Sequence, residues 1–284
     1  MAIQVTFWGV RGSIPTPGSD TVRFGGNTSC VEMRAGKAIL IFDAGTGIRL
    51  LGQKLLREMP LKGYVFFSHV HWDHIQGFPF FAPAFVKGNS FELFGGNSTT
   101  RSLAEALGGQ MDHPNFPVDI GDMGSVMSFT DLVEGQVVEI DSGTDLGPIR
   151  VSNTRGNHPN GVWIYRVDYA GKSVVYATDT EHYAVVDPKI RALAKDVDAL
   201  IYDAMYTPEE YLGKVPGAGP SKVGWGHSTF DEGAKLAAAA TVKHLYLFHH
   251  DPQQTDADVL KKEARAQALF PACTASYEGL SFEV

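Results

Sequence analysis

Cysteine is scarce in this chain: its 284 residues include two, Cys30 and Cys273, both in apolar, strand-like surroundings. Two buried thiols make no disulfide framework and suit a reduced, intracellular setting. Basic runs are missing as well. The 24 Lys and Arg are outnumbered by 32 Asp and Glu, for a formal charge of −8, which argues against nonspecific binding to nucleic acid. No segment approaches the about 20 apolar residues that a membrane-spanning helix needs. Met1–Trp8 opens as a strand, without the basic start and long apolar stretch of a signal peptide, so a cytoplasmic protein is expected. There is no fixed-period repeat. No nucleophile elbow surrounds Ser68, which leaves serine or cysteine catalysis with little support.

Metal-capable side chains, by contrast, are concentrated. His69, His71, Asp73 and His74 follow the apolar run Gly63–Phe67, so they lie just past the carboxyl end of a buried strand. Open α/β sheets place their ligand crevices there. A core rarely tolerates an unpaired aspartate beside three imidazoles. Imidazole nitrogen with carboxylate oxygen is a donor set suited to zinc, and also to iron or manganese. In an extended turn, His69 and His71 project to one side and Asp73 and His74 to another, so one segment can serve two neighbouring metals. Three more strand-like segments end in polar residues: His158 follows Ile149–Thr154, Asp179 follows Ser173–Thr178, and His249 follows His244–Phe248. Each alone reads equally as a turn residue or a helix cap. Their recurrence at strand ends places them in one layer if the strands share a sheet.

The pattern His69-x-His71-x-Asp73-His74, then His158, Asp179 and His249, resembles the metallo-β-lactamase superfamily of binuclear hydrolases, and the likeness runs nearly the full chain. The resemblance implies an α/β (α+β) fold, a four-layer αββα sandwich in a single domain over residues 1–284, and two divalent metal ions, zinc first with manganese or iron as alternatives. It implies that His69, His71 and His158 bind one metal, that Asp73, His74 and His249 bind the other, and that Asp179 bridges them. His249 is chosen over His250 because Leu245–His249 matches the family's strand-then-ligand register. Asp43-Ala44-Gly45-Thr46-Gly47 is similar to the family's first motif, whose aspartate supports the metal loop from behind; the glycines also suit a tight turn into a helix.

Gly226-His227-Ser228-Thr229 looks like a loop of the phosphodiesterase branch, which includes ribonuclease Z and cyclic-phosphate phosphodiesterases. There the histidine matching His227 is associated with the scissile phosphate. Ser228 or Thr229 reads as the cap of the following helix, and an imidazole ahead of such a cap suits an anion. Met111–Val118 also resembles a loop near that branch's entrance, with His113 either structural or substrate-facing. The implied reaction is attack on phosphorus by a metal-bridging hydroxide, with Asp73 orienting it and His227 serving the phosphoryl oxygens or the leaving group. The chain has no Gly-rich basic arm of the kind ribonuclease Z uses on tRNA. The expected partner is therefore a small or cyclic phosphodiester, with nucleic acid disfavoured and no membrane, and the family implies a homodimer. A carboxylic ester, thioester or lactam hydrolase with the same metal centre stays open, as does a non-hydrolytic di-iron redox or metal-binding protein.

Strands are expected near 3–8, 30–34, 38–42, 63–67, 91–94, 136–140, 149–154, 162–168, 173–178 and 198–204, with helices near 48–58, 188–195, 231–240 and 256–268. Gly108–Ser128 has no period and reads as a long functional loop or lid. Gly77–Pro83 covers the core, and Lys214–Gly226, rich in Gly and Pro, reads as a loop that is mobile until substrate binds.

Overall fold

The computed structural model describes residues 2–96, 101–216 and 219–284. Two seven-stranded sheets organise them. The first contains β1 (Ile3–Gly9), β2 (Cys30–Ala35), β3 (Ala38–Phe42), β4 (Lys62–Phe66), β5 (Ser90–Gly95) and β6 (Val126–Asp131), with β14 (Ser281–Glu283) beside β1. The second runs β7 (Val137–Ile140), β8 (Ile149–Gly156), β9 (Val162–Tyr169), β10 (Lys172–Ala177), β11 (Ala199–Asp203), β12 (His244–Phe248) and β13 (Cys273–Ala275). Each sheet is antiparallel in one half and parallel in the other: β3, β4, β5 and β6 run in parallel, and so do β10, β11, β12 and β13.

Alternating side chains explain the layering. In β3, Leu40 and Phe42 point between the sheets, where they meet Tyr165, Tyr176 and Phe248; Ile39 and Ile41 point outward. The outward face is covered by α1 (Ile48–Leu55), α2 (Trp72–Ile75) and α3 (Leu103–Gly109) together with the buried rings of Phe78 and Phe81. The outer face of the second sheet packs against α4 (Pro188–Leu193), α6 (Phe230–Ala239) and α7 (Asp256–Leu269), while α5 (Pro208–Tyr211) lies in the connection after β11. The result is the αββα sandwich. Between the sheets, Phe66 stacks on Phe42 at 5.4 Å and on Phe94 at 4.9 Å, and meets Tyr165 edge-on at 5.4 Å.

Strand direction assembles the site. β8 is antiparallel to β9, which is antiparallel to β10, so β8 and β10 point the same way. The carboxyl ends of β8, β10, β11 and β12 therefore share one edge of the second sheet, and those of β3 and β4 share an edge of the first. The segment Gly108–Ser128 is not all loop: its end is β6, an edge strand whose Val126 is 73% exposed, so burial gave no alternation to read. Helix α3 was likewise unexpected, although Ser102 and Glu105 cap it reciprocally. Helix α1 ends at Leu55, three residues short of the expected end. Part of the loop expected to be mobile until substrate binds, positions 217 and 218, lies outside the described residues. Its last residues are pinned, because the N–H groups of Gly224 and Gly226 donate to the Glu181 carboxylate at 2.7 and 2.8 Å. Among the described residues, no helix is long and apolar enough to cross a membrane.

The loop after β4 is stitched to the turn after β3: Ala44 N–H donates to His74 O at 2.7 Å and Gly77 N–H to Ala44 O at 2.9 Å. Gly77 has an ordinary φ of −83°, but a Cβ there would lie 2.0 Å from Gly45 O. Gly77→Ala should therefore destabilise the fold by about 1–3 kcal/mol through backbone crowding. Urea unfolding checks this, read as a lower midpoint with an unchanged m-value.

Candidate metal centre

The strand ends bring together every residue that the sequence marks as a metal donor. Donor atoms of His69, His71 and His158 lie within 4.8 Å of one another, as do those of Asp73, His74, Asp179 and His249. In the first group, His69 Nε2 is 2.9 Å and His158 Nε2 is 3.1 Å from His71 Nδ1. In the second, His74 Nε2 and His249 Nε2 are 3.3 Å apart, and both approach Asp73 Oδ2, at 3.3 and 3.1 Å. Asp179 faces both groups. Its Oδ1 is 3.2 Å from Nε2 of His74 and of His249, while its Oδ2 is 3.7 Å from His69 Nε2 and 3.8 Å from His158 Nε2.

The protons lie on the far side of these rings. His74 Nδ1–H donates to Asp43 Oδ2 at 2.7 Å, and His158 Nδ1–H to Gly226 O at 2.8 Å. Ser68 Oγ donates its own proton to Asp43, so it accepts from His69 Nδ1–H at 3.1 Å. These partners fix the tautomers and leave three Nε2 lone pairs converging. Converging lone pairs and buried carboxylates repel unless positive charge lies among them, so the residues fit divalent cations.

Electrostatics agree with that fit. Burial holds the imidazole pKa values of His69, His71 and His158 below the usual range, so they stay neutral donors. Burial opposes ionisation of Asp179, but His249, His74 and His69 outweigh it and hold the carboxyl well below its ordinary value. His74 behaves oppositely: burial disfavours its charge, yet Asp179, Asp73 and Asp43 lift its pKa well above the ordinary value. Three carboxylates around it call for the positive charge that a cation would supply.

His227 lies at the edge of this cluster. Its Nδ1 is 3.0 Å from Asp203 Oδ2 and 3.8 Å from Asp179 Oδ2, and its ring stacks on His249 at 5.0 Å. Burial opposes its charge, but Asp203 prevails and raises the pKa to about 9. Asp203 ends β11, and nothing in spacing links it to a histidine 24 positions on. Thr229 takes the N-cap position of α6, but its side chain makes no capping bond, and Ser228 Oγ instead accepts from Tyr202 OH at 3.2 Å. His250 points away from the cluster, toward Ser276 O at 2.9 Å. His113 is exposed on its loop. Sequence reasoning missed Ser13, whose N–H donates to Asp73 Oδ2 at 2.7 Å, and Gly12, where a Cβ would meet the His249 ring at 2.5 Å.

Beside His71 opens a cleft of about 850 Å3, lined by Trp72, Arg101, Gln110, Arg155 and Asn160. It contains two arginines and, among the described residues, no carboxylate.

A model of the beta-lactamase superfamily domain matches residues 39–250, well over half of the chain. Ribonuclease Z of Picrophilus torridus is 24% identical over 318 aligned positions, covering 99% of this chain and 96% of the relative. Among solved structures, the metallo-beta-lactamase fold protein YhfI from Bacillus subtilis superposes with a TM-score of 0.71 at 17% identity, covering 99% of both chains. The short form of human tRNase Z superposes with a TM-score of 0.64 at 19% identity, again covering 99% of both. With this donor set, the chain is a metal-dependent hydrolase of the phosphodiesterase type. The expectation of a small-molecule partner with nucleic acid disfavoured does not stand, because relatives matched end to end are ribonucleases. It failed because net charge is a sum over the whole chain, whereas a substrate meets the local cleft, and this one is cationic.

Asp43 offers a test of the support behind the site. Its Oδ2 accepts from Ser68 Oγ, His74 Nδ1 and Tyr176 OH, each at 2.7 Å, and its Oδ1 accepts from Ser68 N–H at 2.7 Å. Asparagine offers an acceptor at one of these two positions only. Asp43→Asn should weaken divalent metal affinity by about 10- to 100-fold, measured by competition with a chelator, while Tyr176→Phe weakens it less.

Proposed function

Because this chain belongs to the β-lactamase superfamily, we propose that it is a binuclear metal-dependent ribonuclease. The observation that carries the reading is the division of Asp179, with Oδ1 toward His74 and His249 and Oδ2 toward His69 and His158. On this reading His69, His71 and His158 hold one divalent cation, Asp73, His74 and His249 hold the second, and Asp179 is shared. Zinc suits the imidazole-rich donor set best. Bound cations would supply Lewis-acid charge for the phosphoryl oxygens and a more acidic water.

The remaining chemistry belongs to this chain's own residues. Asp73, steadied by Ser13 N–H, orients the attacking water through the oxygen that faces the centre. His227 is held through Nδ1 by Asp203, so its other ring nitrogen is the one that serves a phosphoryl oxygen or protonates the departing alkoxide. The Glu181 carboxylate holds Gly224 and Gly226, and with them the backbone that positions both His158 and His227. Unpaired, buried Cys30 and Cys273 support a reducing compartment such as the cytoplasm.

The test uses metal-counted protein, with single-stranded RNA and bis(p-nitrophenyl) phosphate as substrates and p-nitrophenyl acetate alongside. Two divalent ions per chain with phosphodiester cleavage is the expected result; cleavage of the acetate alone would overturn it. His227→Ala should keep its metal and lose about 10²–10⁴-fold in phosphodiester turnover. Asp179→Ala and His71→Ala should lose metal, as read by elemental analysis. Unchanged turnover in His227→Ala removes that residue from the reaction.

A further inference from the structure

We infer that the cleft beside His71 is a subsite for an unpaired nucleobase of the RNA strand, with Trp72 as its stacking platform; the inference rests on the ribonuclease reading above. Trp72 is 79% exposed, the highest value among the exposed large apolar residues of the described chain. Indole is ordinarily well buried. Here it stands between two metal-site residues, His71 and Asp73, the second of them only 6% exposed. The backbone beneath the ring is fixed, because Trp72 O accepts from Gln76 N–H at 2.7 Å and His74 N–H donates to His71 O at 3.0 Å. On a fixed backbone next to the reaction centre, an indole has two side-chain torsions to order, so it loses little entropy when a planar group lies on it.

The cleft defines that planar group. Arg101 and Arg155 give it positive charge in a chain of net charge −8, and no carboxylate among the described residues lines it. The Arg155 guanidinium lies 3.3 Å from the Trp163 ring centroid, which holds the charge in the cleft wall. Gln110 and Asn160 add amides that can meet the edge of a base. An aromatic face, cationic walls and amide groups match a base attached to a phosphate backbone. An acidic peptide would use the arginines but leave the indole without a planar partner. A base within a duplex is stacked on both faces, so the strand must be unpaired at this nucleotide to use Trp72.

The experiment measures steady-state kinetics on a single-stranded oligoribonucleotide for wild type, Trp72→Ala and Trp72→Phe, all metal-loaded. Trp72→Ala should raise KM about tenfold with a smaller change in kcat, and Trp72→Phe should restore most of the affinity. Adding the oligoribonucleotide should quench wild-type tryptophan fluorescence, and the quench should be lost in Trp72→Phe. An abasic strand of the same length should bind more weakly and quench less. An unchanged KM in Trp72→Ala overturns the subsite, as does equal quenching by the abasic strand or equal affinity for a poly-glutamate peptide. Wild type that cleaves bis(p-nitrophenyl) phosphate but shows no saturable activity on RNA overturns the ribonuclease reading, and the subsite with it, leaving phosphodiester chemistry intact. Wild type inert toward both substrates overturns phosphodiester chemistry as well, whereas an unchanged KM in Trp72→Ala with RNA cleavage intact removes the subsite alone.

Discussion

The site depends on one buried carboxylate. Asp43 is fully buried and accepts four hydrogen bonds, from Ser68 N–H and Oγ, from His74 and from Tyr176. A carboxylate that deep is costly unless every acceptor position is met. Meeting them requires β3 and β4 in the first sheet and β10 in the second to be in register at once. Tyr165 OH to Phe67 O at 2.6 Å and Trp163 N–H to Ser68 O at 2.8 Å add two further ties across the sheets to the same loop. Sandwich and metal loop thus satisfy one another. Neither arrangement of polar groups is stable without the packed aromatics between the sheets.

The strand ends carry a second constraint. Asp43 and His249 follow β3 and β12 directly, Asp179 comes one residue after the end of β10, and each has a left-handed backbone, with φ of 60° for Asp43, 49° for Asp179 and 60° for His249. Asp reaches that region more readily than most residues, and His is enriched there too, but each still costs of order 1 kcal/mol or more. A left-handed residue turns the chain sharply at the sheet edge and points its side chain back over the strand end. Three such turns, at β3, β10 and β12, aim Asp179 and His249 into the donor cluster and Asp43 at the His74 ring from behind. The strain is tolerated because the parallel strands behind them are buried on both faces and leave the backbone no alternative route.

Much of this was legible in the sequence. Apolar runs with period two marked the central strands, and polar residues just past them marked the donors, because burial and chemistry change at the same boundary. What failed had weaker signals. The edge strand β6 and the three-residue strands β13 and β14 have too little buried alternation to be read. The left-handed turns, the pairing of Asp203 with His227, and the Ser13 bond to Asp73 join residues far apart in the chain, so no spacing rule reports them. His249 and His250 are adjacent and differ least in sequence signal; the left-handed turn at His249 sends their rings to opposite sides, one into the donor cluster and one toward Ser276 O. Net charge misled because it averages over surfaces that a substrate never meets.

The segment Asp179-Thr180-Glu181 shows how little chain is needed to unify the site. Asp179 faces both donor groups. Thr180 N–H donates to Asp203 at 3.2 Å, and its Oγ1 accepts from Asn157 N–H at 3.1 Å, next to His158. Glu181 holds the backbone that precedes His227. Three consecutive residues thus connect the ends of β8, β10 and β11 with the loop entering α6. Since each link is buried or half-buried, loosening one donates disorder to the others, and the energetic effects of changing them will not add. A site so connected is positioned as a unit. Its reactive groups have fixed places, and at the subsite inferred above recognition falls to Trp72, 79% exposed beside the cationic cleft.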